Sequence, residues 1–300
     1  MMGVFNIWRN LSNNTKGLVC YLIAMFVTVV LNIFVKCAIV KFNLPTTEVL
    51  CCRQTIIVFF LLPLMIKRKF NFFDKEAFKP NVFRNVIFSL GTFALYIGMS
   101  KVPLNDATAI TFLTPIIGSI LAVRLLGERA SKSIWIALVL SIIGVFIIKK
   151  PGFNDEDILL GYGALLLAVL ARGYVVVLNK RLASKFDTMT MLFYTHTVML
   201  FMSLLSAGQF VKIPFDAIKY IFGASVLFFI EYFLIFKAYK YCSAITLQPF
   251  DFSRLLFMMI MSDLLLNEKV TGNQVLGGLV ILSGYAIIIA YKKISAKTKK

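Results

Sequence analysis

The sequence predicts an all-α integral membrane protein of ten transmembrane helices, laid out as two inverted five-helix repeats. Composition is the first observation: 59% of residues are apolar, 15% are charged and the mean hydropathy is +0.85, which leaves too little polar surface to solvate a soluble globule. The second is a series of apolar runs near 20 residues long, the length that crosses a ~30 Å hydrocarbon core as a helix. The third is a repeated text. Leu125-Leu126-Gly127-Glu128-Arg129 returns 140 residues later as Leu265-Leu266-Asn267-Glu268-Lys269, and Ala137 and Gly144 return at the same offset as Gly277 and Gly284.

The runs fall at 17–39, 46–66, 82–99, 104–126, 133–150, 159–179, 188–207, 216–239, 243–266 and 272–291. The first exceeds the apolar core of a signal sequence and lacks a small-x-small cleavage site, so it is expected to stay in the mature protein. A second echo, offset by 144, pairs Lys36, Lys41, Phe42 and Thr46 with Lys180, Lys185, Phe186 and Thr190. It ties spans 1 and 2 to spans 6 and 7. Five is odd, so the second half, residues 151–300, starts on the opposite side of the bilayer from the first, residues 1–150. Inverted repeats of this kind point to alternating-access carriers. Spans 5 and 10 carry small residues at Ala137, Ser141 and Gly144 and again at Gly277 and Gly284, a stripe that lets helices approach closely.

The loops left over are short, the longest being about 67–81 and 151–158, so no soluble catalytic or nucleotide-binding domain is expected. No G-x-x-x-x-G-K-[ST] run occurs, and Gly161-Tyr162-Gly163 lacks the third glycine of a dinucleotide site. The cysteines at 20, 37, 51, 52 and 242 form no C-x-x-C and no His-Cys cluster, so no metal, cofactor or disulfide framework is implied. A membrane enzyme would need a nucleophile with a base, or a metal set. His196 is the single histidine, and no such set surrounds it. The chain is therefore read as no enzyme.

The net charge of +18 is distributed by side. With the N-terminus inside, the internal segments collect Lys67, Arg68, Lys69, Lys75, Lys79, Arg124, Arg129, Lys180, Arg181 and the lysines of the C-terminal tail. The external segments hold fewer and carry Asp155-Glu156-Asp157. That bias follows the positive-inside rule with both termini cytoplasmic. A solvated, topogenic tail explains the lysines without nucleic acid.

Charges inside spans cost roughly 2.5–3.5 kcal/mol each on insertion scales, so several at one depth call for a reason. Arg172, His196, Glu231 and Asp251 each lie seven or eight residues from the inner end of their span, about 10–12 Å in at ~1.5 Å per residue. Arg254 is one turn above Asp251. Two readings stay open: Asp251 with Arg254 and Glu231 with Arg172 are structural ion pairs, or they pair in an empty cavity and re-pair with a charged ligand. His196, among Tyr194, Thr195 and Thr197, is either a hydrogen-bonded packing residue or a proton relay. Pro249 removes a backbone donor beside Gln248, Phe250 and Asp251, an irregularity that must face protein or water. Thr108, Thr111, Thr114 and Pro115 make a matching device in span 4, unless the threonines only bond their own helix. In the first half the polar candidates are Asn32, Glu48, Arg53, Gln54 and Tyr96, with Arg53 favoured by its depth. Phe112, Tyr174, Phe250 and Phe252 near the belt would stack on a planar or cationic ligand.

Several of these residues carry a family likeness: the Arg53-x6-Leu-Leu-Pro63 end of span 2, Pro103 before Asp106-Ala107-Thr108, Pro115, and Leu-Gly-Glu128 with its echo Leu-Asn-Glu268. From about residue 17 to 292 the chain resembles the drug/metabolite transporter superfamily of the EamA type. The resemblance implies a central cavity lined by spans 1, 3, 4, 6, 8 and 9. Asn32 with Lys36, Glu48 with Arg53, Leu61-Leu62-Pro63, Asn179-Lys180 and Met191-Leu192-Phe193-Tyr194 are similar to S-adenosylmethionine uptake carriers of obligate intracellular bacteria. Asp251-x-x-Arg254 and Glu231 depart from that subgroup.

The resulting expectation is a carrier in a bacterial inner membrane, monomeric or homodimeric, whose partners are the lipid bilayer and a small-molecule substrate. Glu231 and Asp251 would receive a cationic group, and Arg172, Arg254 and Arg53 a carboxylate. Gln248, Tyr96, Tyr174 and Tyr194 would complete the walls. The mixed lining fits S-adenosylmethionine or another amino-acid-like zwitterion better than a phosphate ester. The alternatives are an exporter of amino acids or amphipathic metabolites and, more distantly, a non-transporting receptor.

Overall fold

A computed structural model describes residues 11–67, 69, 75–101, 110–148, 159–206, 213–266 and 272–297. These residues form helices and connecting turns, with no strand among them. Helix α1 (Asn13–Phe42) opens where the Ser12 hydroxyl accepts the Thr15 N–H at 3.3 Å, one of the donors a helix start leaves unpaired. It stops at Asn43, which takes a left-handed φ of 50° and returns its N–H to Ile39. The first half continues through α2 (Thr46–Lys67), α3 (Lys75–Lys101), α4 (Thr114–Leu126) and α5 (Lys132–Ile148). The second half follows with α6 (Leu159–Lys185), α7 (Thr188–Ser206) and α8 (Phe215–Tyr241). It closes with α9 (Ala244–Leu247), α10 (Ser253–Leu266) and α11 (Gly272–Lys297).

Five of these are long and apolar enough to cross a membrane: Asn13–Ile39, Thr47–Lys67, Leu160–Lys185, Thr188–Leu205 and Phe215–Tyr241. Shorter apolar helices cover Thr114–Leu126, Lys132–Ile147 and Val275–Ile288. Helix α3 begins seven residues before the expected span because Lys75, Glu76 and Lys79 extend it as a polar first turn. Two expectations change. Pro115 sits at the start of α4, where its missing N–H was unpaired in any case, so it begins a helix and does not kink one. Thr108 and most of the segment before it lie outside the described residues. Span 9, expected as one run, is broken: a 3-10 turn, Gln248–Phe252, separates α9 from α10 around Pro249.

The helices pack with a two-fold pattern. Helix α1 lies along α8, and α3 along α6; α4 meets α6 as α10 meets α1; α2 packs on α7 and α5 on α11. Exchanging each span for the one five places on turns this set of contacts into itself, which is the pattern two equivalent halves would give. At the α5–α11 seam the small-residue stripe does what its spacing suggests. A Cβ on Gly144 would lie 2.7 Å from the Gly277 carbonyl, and one on Gly284 would lie 3.2 Å from the Ala137 carbonyl. Nothing larger fits without moving backbone.

At one end of the bundle, side chains from different helices hold the helix termini. Gly127, at a φ of 66°, turns the chain out of α4. Glu128 then points across to the start of α9. Its two carboxylate oxygens accept the N–H groups of Ala244 and Ile245 at 2.9 and 2.8 Å. The Lys180 ammonium donates to the Tyr239 and Cys242 carbonyls, both at 2.7 Å, and closes the end of α8. Arg181 donates to the Leu125 carbonyl at 2.6 Å, at the end of α4. We call this the latched end.

Replacing Glu128 by alanine leaves two N–H groups of α9 without their carboxylate, a loss of about 0.5–2 kcal/mol by analogy with other helix caps. Cys242 is 2% exposed at this end. In a background where it is the sole cysteine, Glu128→Ala is expected to raise its rate of maleimide labelling several-fold, measured by mass shift over time. An unchanged rate would mean that the contact does not hold the end closed.

Candidate substrate cavity between the halves

A break in a membrane helix leaves backbone groups that need partners, and polar side chains gather around this one. Helix α1 presents Tyr21, Met25 and Thr28, spaced i, i+4, i+7 on one face; Tyr21 and Met25 reach the cavity wall. Helix α6 presents Arg172, Val175, Val176 and Asn179 on one face, and α8 presents Glu231, Tyr232, Ile235 and Tyr239. Thr111, Thr114, Gln248, Asp251 and Arg254 complete the enclosure from spans 4 and 9. Gly118 keeps span 4 close: a Cβ there would meet the Gln248 side-chain oxygen at 3.0 Å. The cavity measures about 160 Å³, smaller than the ~300–1,000 Å³ of sites that enclose drug-sized ligands. A nucleoside-sized ligand therefore enters only when helices move apart.

Each acid has a hydroxyl from α1. Asp251 accepts the Tyr21 hydroxyl at 3.0 Å and forms an ion pair with Arg254. Glu231, 8% exposed, accepts the Thr28 hydroxyl at 2.8 Å through one oxygen. Its other oxygen is buried and has no hydrogen-bond partner among the described residues. That is an acceptor held ready in a low-dielectric wall, where leaving it unfilled is costly. The Arg254 guanidinium lies 5.9 Å above the Phe112 ring, which itself stacks on Phe252 at 5.6 Å. Arg172, half-buried, lies 5.9 Å above the Phe88 ring. The pairing of Arg172 with Glu231 weighed from the sequence is not formed among the described residues, because Glu231 turns to Thr28.

The structure thus brings five expected site residues, Arg172, Glu231, Gln248, Asp251 and Arg254, to one cavity. Others lie elsewhere. Arg53 is buried with its guanidinium 3.9 Å above the Phe228 ring. Beside it His196 pairs its Nδ1 with the Gln54 side-chain oxygen at 2.8 Å and packs on the same ring at 5.4 Å, the geometry of a packing residue. Tyr194 is buried against Phe193 and Phe78. Tyr174, half-buried, does not reach the cavity wall among the described residues. The side chain of Tyr96 lies outside the described residues. Asn32 continues the α1 face one turn beyond Thr28 and is exposed. Sequence reasoning missed Tyr21, Thr28, Asn179 and Tyr239. The seven-residue spacing of Tyr21 and Thr28 was the available signal for α1.

The profile of the EamA-like transporter family matches the chain twice, at residues 15–149 and 159–290. An S-adenosylmethionine uptake transporter of Rickettsia prowazekii (strain Madrid E) is 27% identical over 80% of this chain and 81% of its own length. A riboflavin transporter of Vibrio cholerae is 24% identical over 92% of this chain and 94% of its own. A pseudopaline exporter of Pseudomonas aeruginosa is 24% identical over 60% and 62%. A solved crystal structure superposes with a TM-score of 0.77 at 13% identity, covering 90% of this chain and 96% of that one, which shows the fold. The apolar helices and these relatives make the chain a multi-pass membrane protein.

Asp251→Asn leaves Arg254 without its carboxylate in a site where the two side chains are 14% and 33% exposed. The loss is expected to be about 1–3 kcal/mol, below that of a fully buried pair because water reaches it. Heating in detergent followed by size exclusion should show a lower melting point for Asp251→Asn and partial recovery in Asp251→Asn with Arg254→Gln. No recovery would mean that Asp251 acts on stability through Tyr21 alone.

Proposed function

The chain belongs to the EamA-like transporter family, and from that premise we propose that it carries S-adenosylmethionine or a related amino-acid-like zwitterion by alternating access. The open Glu231 oxygen carries this reading. A buried carboxylate with one open oxygen suits the charge of a sulfonium or the N–H donors of an ammonium group, and Arg172, lining the same cavity, suits a carboxylate. That the Rickettsia relatives are S-adenosylmethionine uptake transporters supports the same ligand and direction.

The two family matches and the two-fold packing pattern support two inverted repeats, residues 1–150 and 151–300, rocking about the cavity. The positive-inside bias supports an orientation with both termini and the latched end in the cytoplasm, and the bacterial transporters that the chain resembles support a bacterial inner membrane location. In that orientation the described contacts close the cytoplasmic side, and the exposed Asn32 marks the route from outside. Export of an amino-acid-derived metabolite is the second reading, favoured by the likeness to the pseudopaline exporter.

Purified protein in liposomes tests the proposal. Labelled S-adenosylmethionine is expected to accumulate with time and saturate, and Glu231→Gln to lower uptake at least ten-fold at unchanged protein abundance. Binding without accumulation would contradict a carrier, and accumulation of amino acids alone would move the substrate to the second reading.

A further inference from the structure

Arg84 is 1% exposed on α3 and has only neutral partners. Its guanidinium donates to the Asn179 side-chain oxygen at 2.6 Å, to the Asn85 side-chain oxygen and to the Thr195 hydroxyl oxygen. Its centre lies 5.0 Å above the Phe236 ring. Thr195 spends its own proton on the Met191 carbonyl at 2.6 Å, so a lone pair faces Arg84. Among the described residues no carboxylate lies within ion-pair distance of Arg84, and its Nε has no partner. Buried cations are normally answered by an anion, as Arg254 is by Asp251. Amide and hydroxyl oxygens solvate Arg84 without neutralising it.

Its place indicates which anion it would meet. Asn179, which holds Arg84, also lines the cavity, two turns beyond Arg172 on the same face of α6 and nearer the latched end. One amide therefore separates the cavity from a buried positive charge. The next residue, Lys180, closes the end of α8. A turn of α6 that moves to uncover Arg84 moves the latch with it. We propose that Arg84, uncovered by Asn179, is a second subsite that receives the carboxylate of the substrate as the cavity opens at the latched end. This rests on the zwitterion reading given above. The carboxylate replaces the Asn179 oxygen on Arg84, and the gain of a charged acceptor for a neutral one favours the opened state.

The test compares uptake of S-adenosylmethionine with that of its decarboxylated analogue in liposomes. Wild type is expected to prefer the carboxylate form at least ten-fold. Arg84→Gln should remove that preference at normal abundance, and Arg84→Lys should keep part of it. A folded Arg84→Gln with the preference intact overturns the proposal. Should Arg84→Gln fail to fold, Asn179→Ala removes the competing amide and leaves the charge. Its preference should then rise at least two-fold, and an unchanged or lower preference overturns the subsite. If wild type carries neither compound, the zwitterion reading fails by itself. The subsite is then read with acetate, which at constant ionic strength should raise the melting point of wild type over chloride and leave Arg84→Gln unmoved. Equal melting points in the two salts would overturn it.

Discussion

Away from the cavity of an apolar bundle little water answers a free N–H or a lone charge, so most must be met by the chain itself and the few that are not stand out. The break of span 9 at Pro249 is where that constraint presses hardest. Just before it, α9 starts at Ala244 after the turn that ends α8, and the groups that satisfy that start come from the other half: Glu128, just beyond α4, takes two of the exposed N–H groups. The same break turns Gln248, Asp251 and Arg254 toward α1, α6 and α8 and so makes the cavity. The latch and the site thus lie next to one another at the start of span 9.

The acids of the site are tied across the halves as well. Thr28 and Tyr21 of α1 reach Glu231 of α8 and Asp251 of the span 9 turn. A cation arriving at Asp251 competes with the Tyr21 hydroxyl, and one at the open Glu231 oxygen shares its carboxylate with the Thr28 hydroxyl, each hydroxyl coming from the opposite half. Ligand contact therefore bears directly on how the halves meet, which is the differential contact that any coupled conformational change needs. At the α5–α11 seam, by contrast, Gly144 and Gly284 bring backbones together, and no carboxylate is tied there among the described residues.

Much of this was legible in the sequence for a physical reason. Counting residues from span ends gives depth along a helix, and depth alone placed Arg172, His196, Glu231 and Asp251 at one level with Arg254 a turn above; all but His196, which turns to Gln54 and the Phe228 ring, line the cavity. Depth does not give the direction a side chain faces. Arg53 is deep in α2 yet turns to the Phe228 ring, and Tyr194 turns to Phe193. Arg84 was hidden by the opposite error. With span 3 starting at 82 it reads as a boundary charge, but α3 begins at Lys75 and carries it inside. Glu128 stood out as a repeated motif, while its role as a cap depends on a partner more than a hundred residues away.

The central claim is that the latched end and the opposite end open in alternation around a cavity held between the halves. Paired spin labels measure this directly, one pair at Arg129 and Lys240 on the latched end and another at Asn43 and Leu205 on the opposite end, all exposed. With S-adenosylmethionine added to protein in liposomes, the account predicts that the first distance lengthens in the same fraction of molecules in which the second shortens. Two distances that stay fixed, or that lengthen together, would contradict it.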